Sequence, residues 1–149
     1  MNAFKLLGRD PATQRAVVCG DGAAGTATVR LLKAWGFGDI LSVGLSGIIH
    51  RHGDYPEAHR RWLAEHTNRD GMTGDLSTAL RGADVFIGLS VANLVRPEMV
   101  RSMRKDPVVL SLANPIPEIM PAQSLAGGAA IVGSGRFDHP NQCNNVLAF

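Results

Sequence analysis

The chain has 149 residues, 45% apolar and 19% charged, with a formal net charge of +2, a globular composition that excludes disorder and offers no basic field for nucleic acid or an anionic membrane. Aromatic residues at 5% leave few platforms for stacking bare bases, and two cysteines, Cys19 and Cys143, supply neither a disulfide framework nor a four-ligand zinc site. No apolar run reaches the ~20 residues of a membrane helix and the N-terminus lacks a signal-peptide pattern, so a soluble cytoplasmic protein of one domain is expected.

Short apolar runs alternate with helical stretches, the rhythm of βαβ units and a parallel sheet. Ala16 to Cys19 reads as a buried strand ending at Gly20. Ala23 to Trp35 reads as a helix with Ala27, Leu31 and Ala34 on its inner face and Gly36 as its stop. Ile40 to Val43 is a second strand, and Pro56 to His66 a helix opened by proline. Asp75 is placed to cap a short helix running to Leu80. Asp84 to Leu89, Val108 to Ala113 and Ala129 to Val132 are three further strands. Pro97 to Met103 and Pro121 to Ala126 are the helices between them. Runs such as VFIGL and VVLSLA are apolar without strict alternation, so both faces of the sheet are covered by helices. The expected fold is a Rossmann-type, doubly wound α/β sheet of about five parallel strands, in which ligands bind beyond the C-terminal strand ends.

The sharpest motif is Gly20-Asp21-Gly22-Ala23-Ala24-Gly25, placed after a strand and at the opening of a helix. Gly20 permits the tight turn, Gly22 lets the backbone approach a pyrophosphate, and Gly25 lets helix and strand pack closely. The helix N-terminus then offers free N–H groups to the phosphates. Asp21 puts a carboxylate beside that pyrophosphate and repels it unless it points away. The acid usually found about 20 residues on, which accepts the ribose 2′-hydroxyl, is missing: Val43-Gly44-Leu45-Ser46 holds none. Gly44 in that place favours a 2′-phosphate held by Ser46, Arg51 or His52, so NADP is expected ahead of NAD.

Further along, the chain resembles the cofactor-binding domain of malic enzymes, which oxidatively decarboxylate malate to pyruvate. The resemblance rests on GDGAAGTA (Gly20 to Ala27), LRGADVFIGLS (Leu80 to Ser90), PEMV (Pro97 to Val100), LANPIPEI (Leu112 to Ile119) and GRFDHPNQCNNVLAF (Gly135 to Phe149). Asn2 to Gly8 also resembles the end of the helix that precedes this domain in the family. The resemblance implies that Gly20, Gly22, Ala23, Ala24 and Gly25 cradle the pyrophosphate of NAD or NADP. It implies that Ser90 and Val91 lie near the nicotinamide ribose, that Asn114 sits beside nicotinamide and substrate, and that Asn144 or Asn145 reaches the malate carboxylate. A neutral amide suits that work because it donates and accepts without titrating.

The resemblance also marks what is missing. The family's metal ligands, a Glu-Asp pair and a following Asp, and its catalytic Tyr and Lys have no match: Tyr55 stands in another motif, and Lys5, Lys33 and Lys105 fall elsewhere. A divalent metal, Mg or Mn, and malate are therefore expected only in a complete NAD(P)-dependent malic enzyme. The chain is expected to be a truncated domain that is inactive alone, leaving room for a separate chain with the missing half and for self-association. One alternative is a non-enzymatic nucleotide- or partner-binding module that has lost the chemistry. Another is a different Rossmann dehydrogenase, against which LANPIPEI and NQCNN stand.

Weaker patterns carry less. His50-Arg51-His52 reads as a solvated loop, Cys143 as a small buried thiol, Asp84 as a strand-start residue, and Met99 and Met103 as core. Asp138-His139 looks like part of a dyad, but no nucleophile accompanies it.

Overall fold

The computed structural model describes residues 2–143, so Asn144 and Asn145 lie outside the described residues. The chain forms two compact units, divided between Ala79 and Leu80.

In the first unit, α1 (Asn2–Leu7) is anchored by buried Phe4. The Phe4 ring meets Trp35 and Phe37 edge-on at 5.6 and 5.4 Å. Strands β1 (Arg15–Cys19) and β2 (Asp39–Gly44) pair in parallel from Arg15 opposite Asp39 to Cys19 opposite Val43. Helix α2 (Ala23–Ala34) packs on both strands and on α3 (Ala58–His66). Its inner face is Gly25, Thr26, Val29 and Leu32, not the expected Ala27–Leu31–Ala34 stripe: Leu31 is 73% exposed. The close seating of Gly25 on the turn before the helix sets this rotation, and Val29 and Leu32 follow at helical spacing. Over α3, Trp62 stacks on His66 with centroids 4.4 Å apart, and the Arg30 guanidinium lies 4.7 Å from the Trp62 ring.

A short strand, β3 (Gly47–Ile48), turns back antiparallel on β2, with Gly44 opposite Gly47. The unit's strand order is thus β3-β2-β1. An all-parallel sheet of about five strands was expected; six strands occur among the described residues, one of them antiparallel. A two-residue strand has no periodicity to read, and its pairing is tertiary. The chain then runs back along β2, where the Asn68 amide donates to Ile49 O at 2.9 Å.

Helix α4 (Leu76–Leu80) is capped as expected by Asp75, whose Oδ1 accepts from Thr78 N at 2.9 Å. That bond first, and the Ser77 and Thr78 hydroxyls next, hold the Asp75 carboxyl at about 2. A lowered folded pKa stabilises above the unfolded value of about 4 and loses that contribution as pH falls through the folded one. Wild type is therefore expected to melt above Asp75→Asn at pH 5, with the gap closing as pH approaches about 2. A gap independent of pH in paired thermal melts would exclude the charged cap.

In the second unit, β4 (Val85–Gly88), β5 (Val108–Ser111) and β6 (Ile131–Ser134) are parallel in the order β4-β5-β6. Val85 stands opposite Val108, and Val108 opposite Ile131. Helices α5 (Pro97–Arg101) and α6 (Pro121–Ala126) both open with proline and pack on each other, α6 also on β6. Met99 and Met103 are buried. Buried Asp84, just before β4, has Arg104 Nη1 at 3.5 Å.

Candidate functional site

In the first unit the glycine loop follows β1 directly. Gly20 has φ +120°, a conformation that favours glycine. A Cβ on Gly25 would fall on the carbonyl group of Gly20. These two positions are glycine because the fold needs them.

Gly22 differs. Its φ is −82°, which any residue adopts, and a Cβ there would meet nothing within 4 Å. It is the N-cap of α2, yet no side-chain hydrogen bond caps the helix among the described residues. Thr26 N is the first amide bonded back, to Gly22 O at 2.9 Å. The amides of Ala23, Ala24 and Gly25 precede it, at the positive end of the helix dipole. Neither packing nor φ demands glycine at 22, although glycine is a favoured N-cap residue. Without a side chain there, the first amides of α2 are left bare, a cradle whose chemistry fits a dinucleotide pyrophosphate.

Asp21 does not lie across this cradle. Its Oδ2 is 2.8 Å from Arg60 Nε of α3, and the carboxylate rests over Gly44 at the end of β2. Ser46 is exposed in the two-residue turn between β2 and β3, next to Leu45, which is 95% exposed. Arg51 is not near Gly44: it lines a cleft with Lys33, Asp39, Ile40 and Arg69, around the N-terminal end of β2. The strand-end phosphate clamp expected of Arg51 is thus absent, because β3 carries the chain back along β2. Tyr55 braces this return: its hydroxyl accepts from His50 N at 3.2 Å.

In the second unit the site residues follow the C-terminal ends of β4 and β5. Ser90 is half-buried and Val91 is 57% exposed. Asn114 is exposed beside Gly135, where a Cβ would lie 3.3 Å from Asn114 Nδ2. The Asn114-Pro115 peptide is cis.

The residue that organises this edge is one that motif reading passed over. Glu118 is 0% exposed. Its Oε1 accepts from Ser90 N at 2.8 Å and its Oε2 from Ala113 N at 3.2 Å. Its carboxylate packs on Gly88, where a Cβ would collide with it. Its own carbonyl accepts from Val95 N at 2.9 Å, and Pro117 O accepts from Asn93 N at 3.1 Å. One carboxylate thus fixes both loops that carry Ser90, Val91 and Asn114. The available signal was an acid set among apolar residues in LANPIPEI, a position where burial demands partners.

Arg136 completes the edge. It grips Asp138 through two nitrogens, at 2.8 and 2.6 Å, and donates to Pro115 O at 3.1 Å. The Arg136 bond holds the Asp138 carboxyl below its ordinary value, so Asp138 is an ion-pair partner of Arg136 and not half of a dyad with His139. Cys143 is exposed, not buried as expected; its thiol lies beside Gly133, and partial desolvation pushes its pKa up, away from a reactive thiolate. No group of three His, Cys, Asp or Glu side chains converges among the described residues.

No family model matches the chain. Over its whole length it is 44% identical to the bifunctional malic/malolactic enzyme of Bacillus subtilis, of which it spans 37%. It is 42% identical to the NADP-dependent malic enzyme of Rhizobium meliloti, of which it spans 20%. The crystal structure of the NAD-dependent malic enzyme of Thermotoga maritima superposes on 99% of the chain with a TM-score of 0.95 and 42% identity, over 40% of that protein. Over its whole length the chain is similar to one part of these malic enzymes. It covers well under half the length of these malic enzymes. Its fold is the Rossmann-type α/β fold, shared at 15% identity and a TM-score of 0.61 with a D-lactate dehydrogenase of Lactobacillus jensenii, a likeness of fold alone. Its malic-enzyme relatives include NAD- and NADP-dependent proteins, so kinship does not decide the coenzyme. No helix among the described residues is long and apolar enough to cross a membrane.

Proposed function

We propose that residues 1–149 serve as the nicotinamide-dinucleotide-binding domain of a malic-enzyme-like oxidoreductase, one that oxidatively decarboxylates malate to pyruvate. The observation that carries this reading is the start of α2, where Gly22 as N-cap leaves the first amides without a side-chain cap and with open space before them. On this reading the amides of Ala23, Ala24 and Gly25, bared by Gly20 and Gly22, hold the pyrophosphate. Gly44 and Ser46 stand towards the adenosine ribose. Ser90 and Val91 are assigned to the nicotinamide ribose, and Asn114 to nicotinamide and malate. Asn144 and Asn145, outside the described residues, are assigned to the malate carboxylate.

When bound, NAD or NADP would supply a hydride acceptor, held by the amides of Ala23, Ala24 and Gly25. This chain's part is to bind and orient: the helix N-terminus holds charge, and the loops fixed by Glu118 set the place of Ser90 and Asn114. The divalent metal and the acid–base groups belong to the remaining length that the relatives have. The chain alone is expected to bind coenzyme and to turn over no malate.

Gly22→Leu tests this. Nothing in the chain touches a Cβ at residue 22, so the loss is limited to the N-cap preference for Gly over Leu, about 1 kcal/mol, and the melting temperature is expected to fall by no more than about 5 °C. Calorimetric titration of wild type with NAD and NADP is expected to show binding of at least one, and Gly22→Leu to lose at least tenfold in affinity, about 1.4 kcal/mol. Wild type binding neither coenzyme favours a module without the chemistry. Reduction of NAD or NADP by the pure chain with malate and Mg or Mn overturns the expectation of inactivity.

A further inference from the structure

Resting on the dinucleotide reading above, we propose that Asp21, held by Arg60, is the acid that accepts the adenosine ribose 2′-hydroxyl, and that it selects NAD over NADP. A dinucleotide fold places a carboxylate at the end of the second strand to take the 2′-hydroxyl. That position here is Gly44, which has no side chain to offer. The space is nonetheless filled: the Asp21 carboxylate lies where a side chain on residue 44 would begin, its Cγ 2.6 Å and Oδ1 3.2 Å from an ideal Cβ there. The acid missing from the strand is supplied from the glycine loop.

Three further observations support this role. Asp21 is 13% exposed on its side chain and anchored by Arg60 Nε at 2.8 Å, so its direction is set. The shortest contact with Arg60 is made by Oδ2, the oxygen nearest Gly44, and a carboxylate has further lone pairs on Oδ1 to offer a hydroxyl. The local charge is also wrong for a phosphate. Arg60 Nη1 has Glu57 Oε2 at 3.7 Å, so one cation faces two carboxylates. A 2′-phosphate would meet a net negative cluster and displace an ion pair, and Arg51 lines a cleft at the other end of β2. The absence of a strand-end acid, which pointed towards NADP, is thereby reversed.

Titration calorimetry of the purified 149-residue chain with NAD and with NADP tests the proposal in wild type, Asp21→Asn, Asp21→Ala and Gly44→Ala. Wild type is expected to bind NAD at least about tenfold more tightly, the scale of one charge-assisted hydrogen bond. Both Asp21 variants are expected to bring the two affinities within about threefold, by weakening NAD and strengthening NADP. Asp21→Asn keeps the shape and removes the charge, so the effect does not rest on a folding change. Gly44→Ala leaves residue 21 intact but pushes its carboxylate out of place. It should reproduce the loss of preference, which a merely structural Asp21 would not predict. Tighter binding of NADP by wild type, or an unchanged ratio in the Asp21 variants with coenzyme still bound, overturns the proposal. Binding of neither coenzyme by wild type overturns the reading beneath it and this inference together.

Discussion

Glu118→Ala is expected to destabilise the second unit by about 3 kcal/mol or more, with a melting temperature lower by roughly 10 °C. The side chain is fully buried and accepts from Ser90 N and Ala113 N. Its removal orphans two amides, each at a cost of about 1–3 kcal/mol, and opens a cavity besides. Glu118→Gln keeps the volume and one acceptor oxygen, so it should lose roughly half as much. Hydrogen exchange gives the local check. Ser90 and Ala113 amides should both lose protection in Glu118→Ala and one of the two in Glu118→Gln, while the Asn93 and Val95 amides, bonded to backbone carbonyls of Pro117 and Glu118, lose less. Full protection of Ser90 and Ala113 in Glu118→Ala would show that the carboxylate is not what holds these loops.

Gly25→Ala is expected to cost about 2 kcal/mol and at least tenfold in coenzyme affinity. The added methyl would enter the carbonyl group of Gly20, a backbone neighbour that cannot swing aside as a side chain can. Helix propensity favours Ala over Gly by about 1 kcal/mol and offsets part of the overlap. The remainder must move α2 away from the turn, and with it the Ala23 and Ala24 amides. The contrast with Gly22→Leu is informative, since a Cβ collides with backbone at residue 25 and meets nothing at residue 22. Thermal melts and calorimetry of the two variants side by side should separate these roles. A Gly25→Ala variant as stable as wild type, with unchanged affinity, would refute the close-packing account.

The helix and strand order was legible because the apolar runs are short, and proline and glycine punctuate them. Pro97 and Pro121 open α5 and α6 as expected, and Asp75 caps α4. The β6 strand begins at Ile131, two residues after the expected Ala129, and α3 begins at Ala58 rather than Pro56. Both shifts reflect ends set by tertiary hydrogen bonds more than by local preference. The buried face of α2 was misread for a related reason. Ala27, Leu31 and Ala34 have helical spacing, but so do Gly25, Val29 and Leu32, and only the turn at Gly20 chooses between them.

At the site, Gly20 and Gly25 could be read because each carries a separate steric demand. The directions of charged side chains could not. Asp21 was legible as a carboxylate near phosphates, yet its partner Arg60 lies 39 residues away on α3. Glu118 bonds to the backbone amides of Ser90 and Ala113, and Arg136 reaches the Pro115 carbonyl besides Asp138, backbone partners that no residue pattern encodes.

The double grip of Glu118 has a bearing on motion. Chain segments fastened to opposite oxygens of one rigid carboxylate cannot open independently. A displacement after β4 is passed to the segment after β5 without any rearrangement of the strands between them. Breathing at this rim is therefore concerted, with a single pivot in place of two separate hinges.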